Sequence, residues 1–331
     1  GVGGGWGEEW GGGGGGGGGT NGKKVWLTLL VSLTLLVTVG TVYALRIVLR
    51  AEQTVQTMHA PIKGREATVI EEVEPLSLLL LGIANDSKRK TDYRANTIMI
   101  VTLNPKNKRT SITSIPRDAY VEIVGKGFKD KINHAHSFGG AEMMIASIEQ
   151  FLQIPIHHYF SINMDGMADL VDAIGGITVY NDFEFTAEKI HYPEGELQLD
   201  GWAALQYTRM RKDDPEGDYG RQRRQRQVTE LLAKELLSLS SLFQYQELMS
   251  IVGENGQTDL TFQQISRLIT SYQTALTTVD LYQIQGTGFT GDGLQGEAGI
   301  SYQAISDEER QLVIQRLHSE LDMQTHNESA E

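Results

Sequence analysis

An uninterrupted apolar segment near the N-terminus is the clearest feature of the hydropathy pattern. Residues 25–45 (VWLTLLVSLTLLVTVGTVYAL) contain no charged side chain and are flanked by basic residues on both sides. At about 1.5 Å per residue, a helix of this length spans a hydrocarbon core of roughly 30 Å. The pattern predicts one transmembrane helix within residues 23–50. A cleaved signal peptide is the alternative, but its apolar region is shorter and Val42-Tyr43-Ala44 matches its cleavage site only weakly.

Beyond residue 75, short apolar runs alternate with segments of helical periodicity. Runs rich in Leu, Ile and Val that end in turn residues predict buried strands at 76–84, 96–103 and 109–115. Alternating strands and helices predict an α/β layered domain. The other predicted elements are helices at 139–152, 164–174, 221–239 and 308–321, strands at 158–162 and 176–180, a short helix or turn at 201–206, a mostly helical region at 240–285 and a glycine-rich loop at 286–299.

Changes in this pattern divide the 331 residues into segments. The first is too rich in glycine to bury a core, and a polar connector follows the apolar helix. The expected segments are a tail at 1–22, the transmembrane helix at 23–50, a linker at 51–74, a folded domain at 75–316 and a polar tail at 317–331.

Composition and charge exclude several classes of protein. A content of 40 % apolar residues excludes a disordered chain, and the absence of cysteine excludes disulfide scaffolds and Cys-ligated metal sites. A net charge of −13 argues against binding to nucleic acid, which needs a basic surface. Any site for an anion must therefore be a local basic cluster.

Such a cluster lies at residues 207–226 (YTRMRKDDPEGDYGRQRRQR), where seven of twenty positions are basic. In an extended stretch Arg209 and Arg211 share one face, and at the start of the following helix Arg221 and Gln225 share another. Guanidinium groups that converge on a helix N-terminus suit a phosphate or pyrophosphate group. The alternative is that the basic cluster forms a surface network of ion pairs with Asp213, Asp214, Glu216 and Asp218. In either case we expect the other arginines of the helix, Arg223, Arg224 and Arg226, to be solvated.

Three further candidates lie near predicted strands. Arg117 follows a buried strand in Ser-Ile-Pro-Arg-Asp, where α/β sheets commonly bind ligands, although a pair with Asp118 that closes the turn is the alternative. Arg94 precedes the second strand, and His134 follows Lys131 in Lys-Ile-Asn-His, where a structural role is more common. No HExxH, P-loop or GxSxG motif occurs, so the sequence lacks support for those hydrolase classes.

Several blocks of sequence resemble the LytR-CpsA-Psr domain of Gram-positive cell envelopes. They cover about 150 residues and include LLLLGIA (78–84), YRANTIMIVTLNP (93–105), SIPRD (114–118), KINHAHSFGG (131–140), VDAIGGITV (171–179) and LDGWAALQYTRMRKDDPEGDYGRQRRQRQV (199–228). The resemblance implies a mixed central sheet between helices, with an apolar tunnel for a polyprenyl chain.

The implied activity is that of a membrane-anchored phosphotransferase. Such proteins move a glycopolymer, wall teichoic acid or capsule-type polysaccharide, from a polyprenyl-pyrophosphate carrier to peptidoglycan, usually with Mg²⁺. The resemblance places residues 1–24 in the cytoplasm and the folded domain outside the cell membrane. A transcriptional regulator is disfavoured by the acidic charge and the apolar span.

By resemblance, six residues bind the pyrophosphate, of which Arg117 and Arg221 are the candidates for catalysis. The chain departs from the family at two positions that normally carry Asp, because Ala84 and Asn96 stand there. Neither residue supplies a negative charge for magnesium or a general base. Asp86 and Asp92 are possible substitutes, so the competing hypothesis is a protein that binds the lipid-linked polymer without transferring it. The six implied ligands are Arg94, Arg117, Arg209, Arg211, Arg221 and Gln225.

Overall fold

The computed structural model describes residues 19–63, 65, 73–85, 91, 93–238, 251–294 and 296–323. The chain divides into two units, residues 1–50 and residues 51–331.

Helix α1 (Gly19–Met58) is continuous over 40 residues. Its segment Ser32–Met58 is long and apolar enough to cross a membrane, with a mean hydropathy of 1.8. Two threonine hydroxyls donate to backbone carbonyls of the preceding turn, Thr38 to Thr34 at 2.7 Å and Thr41 to Val37 at 2.8 Å. These bonds satisfy polar groups that would be costly in hydrocarbon. The predicted apolar helix is confirmed, and its insertion in a membrane stays a prediction.

The second unit is built on a six-stranded mixed sheet, as predicted. In spatial order the strands are β11 (Gly256–Thr258), β6 (His158–Asn163), β1 (Leu76–Ile83), β2 (Ala95–Asn104), β3 (Arg109–Ser114) and β12 (Thr278–Gln283). Strand β1 runs antiparallel to β2 and parallel to β6, whereas β3 runs antiparallel to β2 and parallel to β12.

Helices cover both faces of this sheet because its central strands are apolar on both sides. Leu79 and Ile100 belong to one core, which also includes residues of helices α2 (Ile132–Leu152) and α7 (Asp307–Glu320). Met99 belongs to a second core on the opposite side, formed with helix α6 (Phe262–Ser271) and a 3₁₀ helix (Gln273–Thr277). The α/β class with helices on either side of a mixed sheet is therefore confirmed.

A third core supports the arginine-rich segment. Asp172 accepts a hydrogen bond from Gly201 N at 2.7 Å, and Asp200 caps the following helix by accepting from Ala203 N at 2.7 Å. The elements around this core are α3 (Met164–Ala173), β7 (Ile177–Asn181), β8 (Phe185–Ala187), β9 (Ile190–Tyr192), β10 (Gly195–Leu199), α4 (Gly201–Arg209) and α5 (Asp218–Ser238).

Several elements differ from the sequence-based expectation. The described part of the region 240–285 contains the expected helical pieces, at 251–255, in α6 and in the 3₁₀ helix, but β11 and β12 also add edge strands to the sheet there. The expected loop at 286–299 contributes to a hairpin of β13 (Thr287–Gly291) and β14 (Ile300–Ala304), and β4 (Tyr120–Ile123) pairs with β5 (Phe128–Lys131). Whether such a short segment forms a strand depends on its pairing with a neighbouring strand, and local periodicity does not reveal that pairing.

The α2 segment consists of two helical parts on either side of a break, and the part after the break matches the helix expected at 139–152. Gly140 has φ 64°, a left-handed conformation that favours glycine, and it interrupts the helix at the end of the segment 131–140 that resembles the family. Residues 132–138 form an additional helical part that the sequence pattern does not predict.

The C-terminal helix α7 is fastened to the sheet by polar contacts. The Glu320 carboxylate accepts hydrogen bonds from Thr102 at 2.9 Å and from Ser111 at 2.5 Å. Leu317 and Leu321, beyond the expected domain end at 316, are buried, as are Val55 and Met58 in the expected linker. The packed unit thus includes residues on both sides of the segment 75–316.

Replacing Leu317 with Ala should lower the free energy of unfolding by about 2–5 kcal/mol, because its side chain is fully buried in the core under the sheet. Leu312→Ala on the same helix is the matched control: its side chain is 63 % exposed, and the change should stay within about 0.5 kcal/mol. Urea denaturation of both variants measures the difference. Equal costs would show that α7 is not packed as described.

Candidate functional site

The site begins at the end of β3, where a turn presents Arg117. Pro116 O accepts from Ala119 N at 2.9 Å and closes the turn. Arg117 Nη1 donates to Asn96 Oδ1 at 2.8 Å, and Arg117 Nε lies 3.6 Å from Asp118 Oδ2. Asp118 Oδ1 in turn lies 2.9 Å from Lys131 Nζ. The Arg-Asp pair of the turn is therefore present, and it is one part of a larger charged group.

Asn96 reaches Arg117 because the register of the sheet shifts beside it. Gly82 pairs with Thr97 and Ile83 pairs with Ala95, so Asn96 is an extra residue on β2. Bulges of this kind commonly redirect a side chain next to a functional site.

Arg221, in the first turn of α5, is the most buried of the six candidate ligands in the described structure, at 7 % exposure. Burial, the largest cause, and the neighbouring charge of Arg117 lower the pKa of Arg221 to about 9, against the opposing effect of Asp118. Arg211 and Arg224 also lower this pKa. At neutral pH the guanidinium stays charged, so α5 holds a cation in surroundings that disfavour its charge.

Arg224 lies beside this cluster but forms a structural ion pair, contrary to the expectation that it is solvated. Its guanidinium contacts the Asp214 carboxylate at 2.5 Å and donates from Nε to Tyr207 O at 3.0 Å. It also lies over the rings of Phe185 and Tyr207. The pair is buried because the ring faces and the backbone carbonyls complete the contacts of the cation.

Close packing around this pair fixes the start of α5. A Cβ atom on Gly220 would lie 2.0 Å from Asp214 Oδ2, so only glycine fits there. Arg223, two residues further along than Arg221, pairs at the surface with Asp182 at 3.1 Å and with Glu216. Arg226 is half-buried and donates to Gln283 at 3.3 Å. Of the acidic residues in the ion-pair alternative, Asp214 and Glu216 do form pairs, but their partners are Arg224 and Arg223, which the sequence places in solvent. Arg221 instead lies near other arginines.

The remaining candidate ligands lie at two places. Gln225 donates to Thr208 O at 3.4 Å, next to Arg209, which ends helix α4 and is half-buried. Because α4 extends to Arg209, the alternation expected for Arg209 and Arg211 on an extended stretch is wrong. Arg94 is exposed, and its carbonyl accepts from Ala84 N at 2.8 Å. Arg117 and Arg211 lie near enough to Arg221 for their charges to lower its pKa, and Gln225 lies one turn from Arg221 on α5.

The residues around this site do not fit a magnesium ion. Ala84 has no polar side-chain atom, and the amide oxygen of Asn96 is bound by the positive Arg117. Within the described ranges, no group of three or more His, Asp or Glu side chains is placed to hold a metal ion. Asp86 and Asp92 lie outside the described residues.

His134 has a structural partner, as its alternative interpretation held. Its Nδ1 lies 2.7 Å from Asp130 Oδ2. Lys131, three residues before His134, is the residue of this segment that contacts Asp118 in the site. The ion pair of Lys131 with Asp118 was not predicted from the sequence. Lys131 is the last residue of a short strand directly before a helix, and this position is the signal that could have indicated a role at the site.

The chain belongs to the LytR_cpsA_psr family, whose model matches residues 45–319. It is 40 % identical over 307 residues to the polyisoprenyl-teichoic acid–peptidoglycan teichoic acid transferase TagU of Bacillus mycoides (strain KBAB4), across 91 % of this chain and 99 % of that relative.

Solved structures agree with this assignment. The crystal structure of B. subtilis TagU is 34 % identical and has a TM-score of 0.58, covering 75 % of this chain and 97 % of that chain. The structure of TagT bound to LIIa-WTA is 29 % identical and has a TM-score of 0.65, and the match covers 80 % of this chain and 100 % of that chain.

Removing the buried partner of Arg224 should destabilise the protein strongly. Asp214→Ala leaves an uncompensated buried cation, and we expect a loss of about 3–5 kcal/mol in the free energy of unfolding. Glu216→Ala, which breaks only the surface pair with Arg223 in the same loop, should cost at most about 1 kcal/mol. Urea denaturation measures both, and similar losses would contradict the structural role of the Asp214–Arg224 pair.

Arg221→Met should raise the melting temperature of the unliganded protein, because it removes a buried cation near other cations. The same change should abolish stabilisation by inorganic pyrophosphate, which for the parent amounts to ~2.7 kcal/mol at a hundredfold excess over Kd. Thermal unfolding with pyrophosphate, against sodium chloride of equal ionic strength, measures both effects. Arg223→Met is the control that keeps the pyrophosphate effect, and a parent that pyrophosphate does not stabilise would refute an anion site.

Proposed function

We propose that the chain is a phosphotransferase that moves an anionic glycopolymer, wall teichoic acid or a capsule-type polysaccharide, from a polyprenyl-pyrophosphate carrier to peptidoglycan. Family membership and the transferase name of TagU support this proposal. TagT, a solved relative, binds LIIa-WTA. The observation that carries the proposal in this chain is the buried Arg221, which faces Arg117 and Arg211.

The reaction requires stabilisation of charge on a pyrophosphate. An acceptor hydroxyl oxygen forms a bond to the phosphorus that carries the polymer, the bond from that phosphorus to the bridging oxygen breaks, and polyprenyl phosphate leaves with the electron pair. The acceptor loses its proton, and the product is a phosphodiester. Fixed guanidinium groups stabilise the charge that grows on the leaving phosphate.

In this proposal Arg117 and Arg221 contact the reacting phosphates, and the other four ligands hold the pyrophosphate. The four are Arg94, Arg209, Arg211 and Gln225. Asp118 is held by Lys131 and Arg117 and therefore suits positioning of the arginines better than removal of the acceptor proton. The proton acceptor is then Asp86, Asp92 or solvent, and Mg²⁺ remains an expectation from the family.

The second face of the sheet offers apolar surface for the carrier chain. Leu78 and Leu80 are half-buried there, beside Ile265 and Leu268 of helix α6. A tunnel on this face would exclude water from the polyprenyl chain, at a gain of about 0.8 kcal/mol per buried methylene.

The apolar helix α1 suits a membrane anchor. With residues 1–24 in the cytoplasm, the second unit would lie outside the cell membrane, where peptidoglycan is found. This orientation is part of the proposal, since the basic residues that flank the span are balanced.

The alternative is a protein that holds the lipid-linked polymer without transferring it. The observation that favours it is the hydrogen bond of Asn96 to Arg117, where the family carries a carboxylate, together with the buried methyl group of Ala84. The two functions share the anion site and differ only in turnover.

Transfer of a labelled glycan lipid to peptidoglycan fragments by the purified full chain tests the proposal. We expect Arg221→Ala to lower the transfer rate at least about 10²-fold, because it removes a donor to the charge that develops in the reaction. Arg223→Ala, a surface neighbour on the same helix, is the matched control and should retain the parental rate. A parental rate no higher than that of Arg221→Ala would refute the phosphotransferase.

The double variant Ala84→Asp, Asn96→Asp separates the two functions. If the chain only binds the polymer, the double variant gains magnesium-dependent transfer while the parent shows none and binds the lipid equally well. Robust transfer by the parent would contradict the binding function.

A further inference from the structure

Three aromatic rings form a cluster that neither the anion site nor a core explains. The Tyr120 ring packs edge-on against Phe289, with centroids 5.5 Å apart, and against Tyr302 at 5.0 Å. Phe289 stacks on Tyr302 at 5.4 Å. Tyr302 is buried, but Tyr120 is 39 % exposed and Phe289 is 37 % exposed. The two outer rings thus present apolar surface to solvent on a rigid base.

This aromatic cluster is joined to the anion site through Asp118. The backbone N–H of Gln303, next to Tyr302, donates to Asp118 O at 2.9 Å. Lys131 Nζ contacts the Asp118 carboxylate at 2.9 Å and lies 5.5 Å from the centroid of the Tyr302 ring. Tyr120 lies three residues after Arg117 and pairs with Lys131 across the β4–β5 hairpin. Short contacts therefore connect the rings to the segment that carries the candidate catalytic Arg117.

The surroundings of the rings favour an uncharged ligand over an anionic one. Burial raises the pKa of Tyr302, and the negative charges of Asp130 and Glu297 act in the same direction. Lys131 near the same ring is already paired with the Asp118 carboxylate, so it offers little attraction to the phosphates of a teichoic acid chain, and the exposed Glu297 would repel them. A neutral sugar ring has no such penalty, and its C–H groups pack on aromatic faces while its hydroxyl and amide groups stay solvated.

We propose that Tyr120 and Phe289 form a stacking platform for a sugar ring of the acceptor glycan, next to the ring whose hydroxyl receives the phosphoryl group. This inference rests on the proposed function, since it supplies the acceptor side of the same reaction. The platform holds the neutral glycan strand, whereas the arginines hold the anionic donor.

Direct binding of a sugar oligomer tests the platform without turnover. The probe is a lipid-free oligomer of alternating N-acetylglucosamine and N-acetylmuramic acid, titrated into the full chain in detergent by calorimetry. We expect the double variant Tyr120→Ala, Phe289→Ala to bind it about tenfold more weakly or worse, because two stacking contacts are lost. Tyr120→Phe, Phe289→Tyr keeps both rings and should restore binding. Tyr180→Ala, which removes an exposed aromatic ring from β7, is the matched control and should leave binding unchanged.

The KM values for the two substrates of the transfer reaction provide a second test of the platform. In the transfer assay, the double alanine variant should raise the KM for the acceptor about tenfold and leave the KM for the glycan lipid unchanged. If the parent shows no transfer, the proposed phosphotransferase function fails. Oligomer binding that depends on Tyr120 and Phe289, and that Arg221→Met leaves intact, would still support the platform. Equal oligomer binding by the parent and the double alanine variant, or no oligomer binding by the parent, would overturn the platform.

Discussion

The buried pair of Asp214 and Arg224 is the interaction on which the geometry of the site depends. It joins the loop after α4 to the first turns of α5, and the carbonyls of Tyr207 and Met210 accept from the same guanidinium. Because a charge pair without water needs nearly all of its hydrogen bonds, this loop has little freedom to move. Arg211 and Arg221 lie on the two segments that the pair connects, so their separation is set by a contact that touches no ligand.

Arg221 has the opposite character. Its charge is disfavoured by burial and by neighbouring cations, and Asp118 compensates for only part of this. A site that keeps cations close together in the unliganded state has already met the cost of assembling them, so that an anion gains the full attraction on arrival. Of these two buried arginines, Arg224 makes the loop rigid, and Arg221, three residues earlier, attracts the anion.

Part of this arrangement follows from sequence and part does not. The apolar runs of β1 to β3 identify the centre of the sheet, and the helical spacing of Arg221 and Gln225 with the apolar stripe that follows identifies the inward face of α5. Arg224 escaped prediction because its partner, Asp214, lies in a loop whose path no periodicity describes. The bulge at Asn96 and the β13–β14 hairpin also depend on pairing between distant segments, which local patterns do not contain.

The contacts of Glu320 set an order of events during synthesis. Thr102, on a central strand, shares a hydrogen bond with a residue 218 positions later in the chain. A ribosome releases α1 before the strands and α7 after them, so β2 and β3 emerge long before the helix whose Glu320 binds Thr102 and Ser111. Contacts over such long separations form slowly, because a long loop must close before they contribute any stability. The polar contacts of the central strands therefore stay incomplete until α7 has been made.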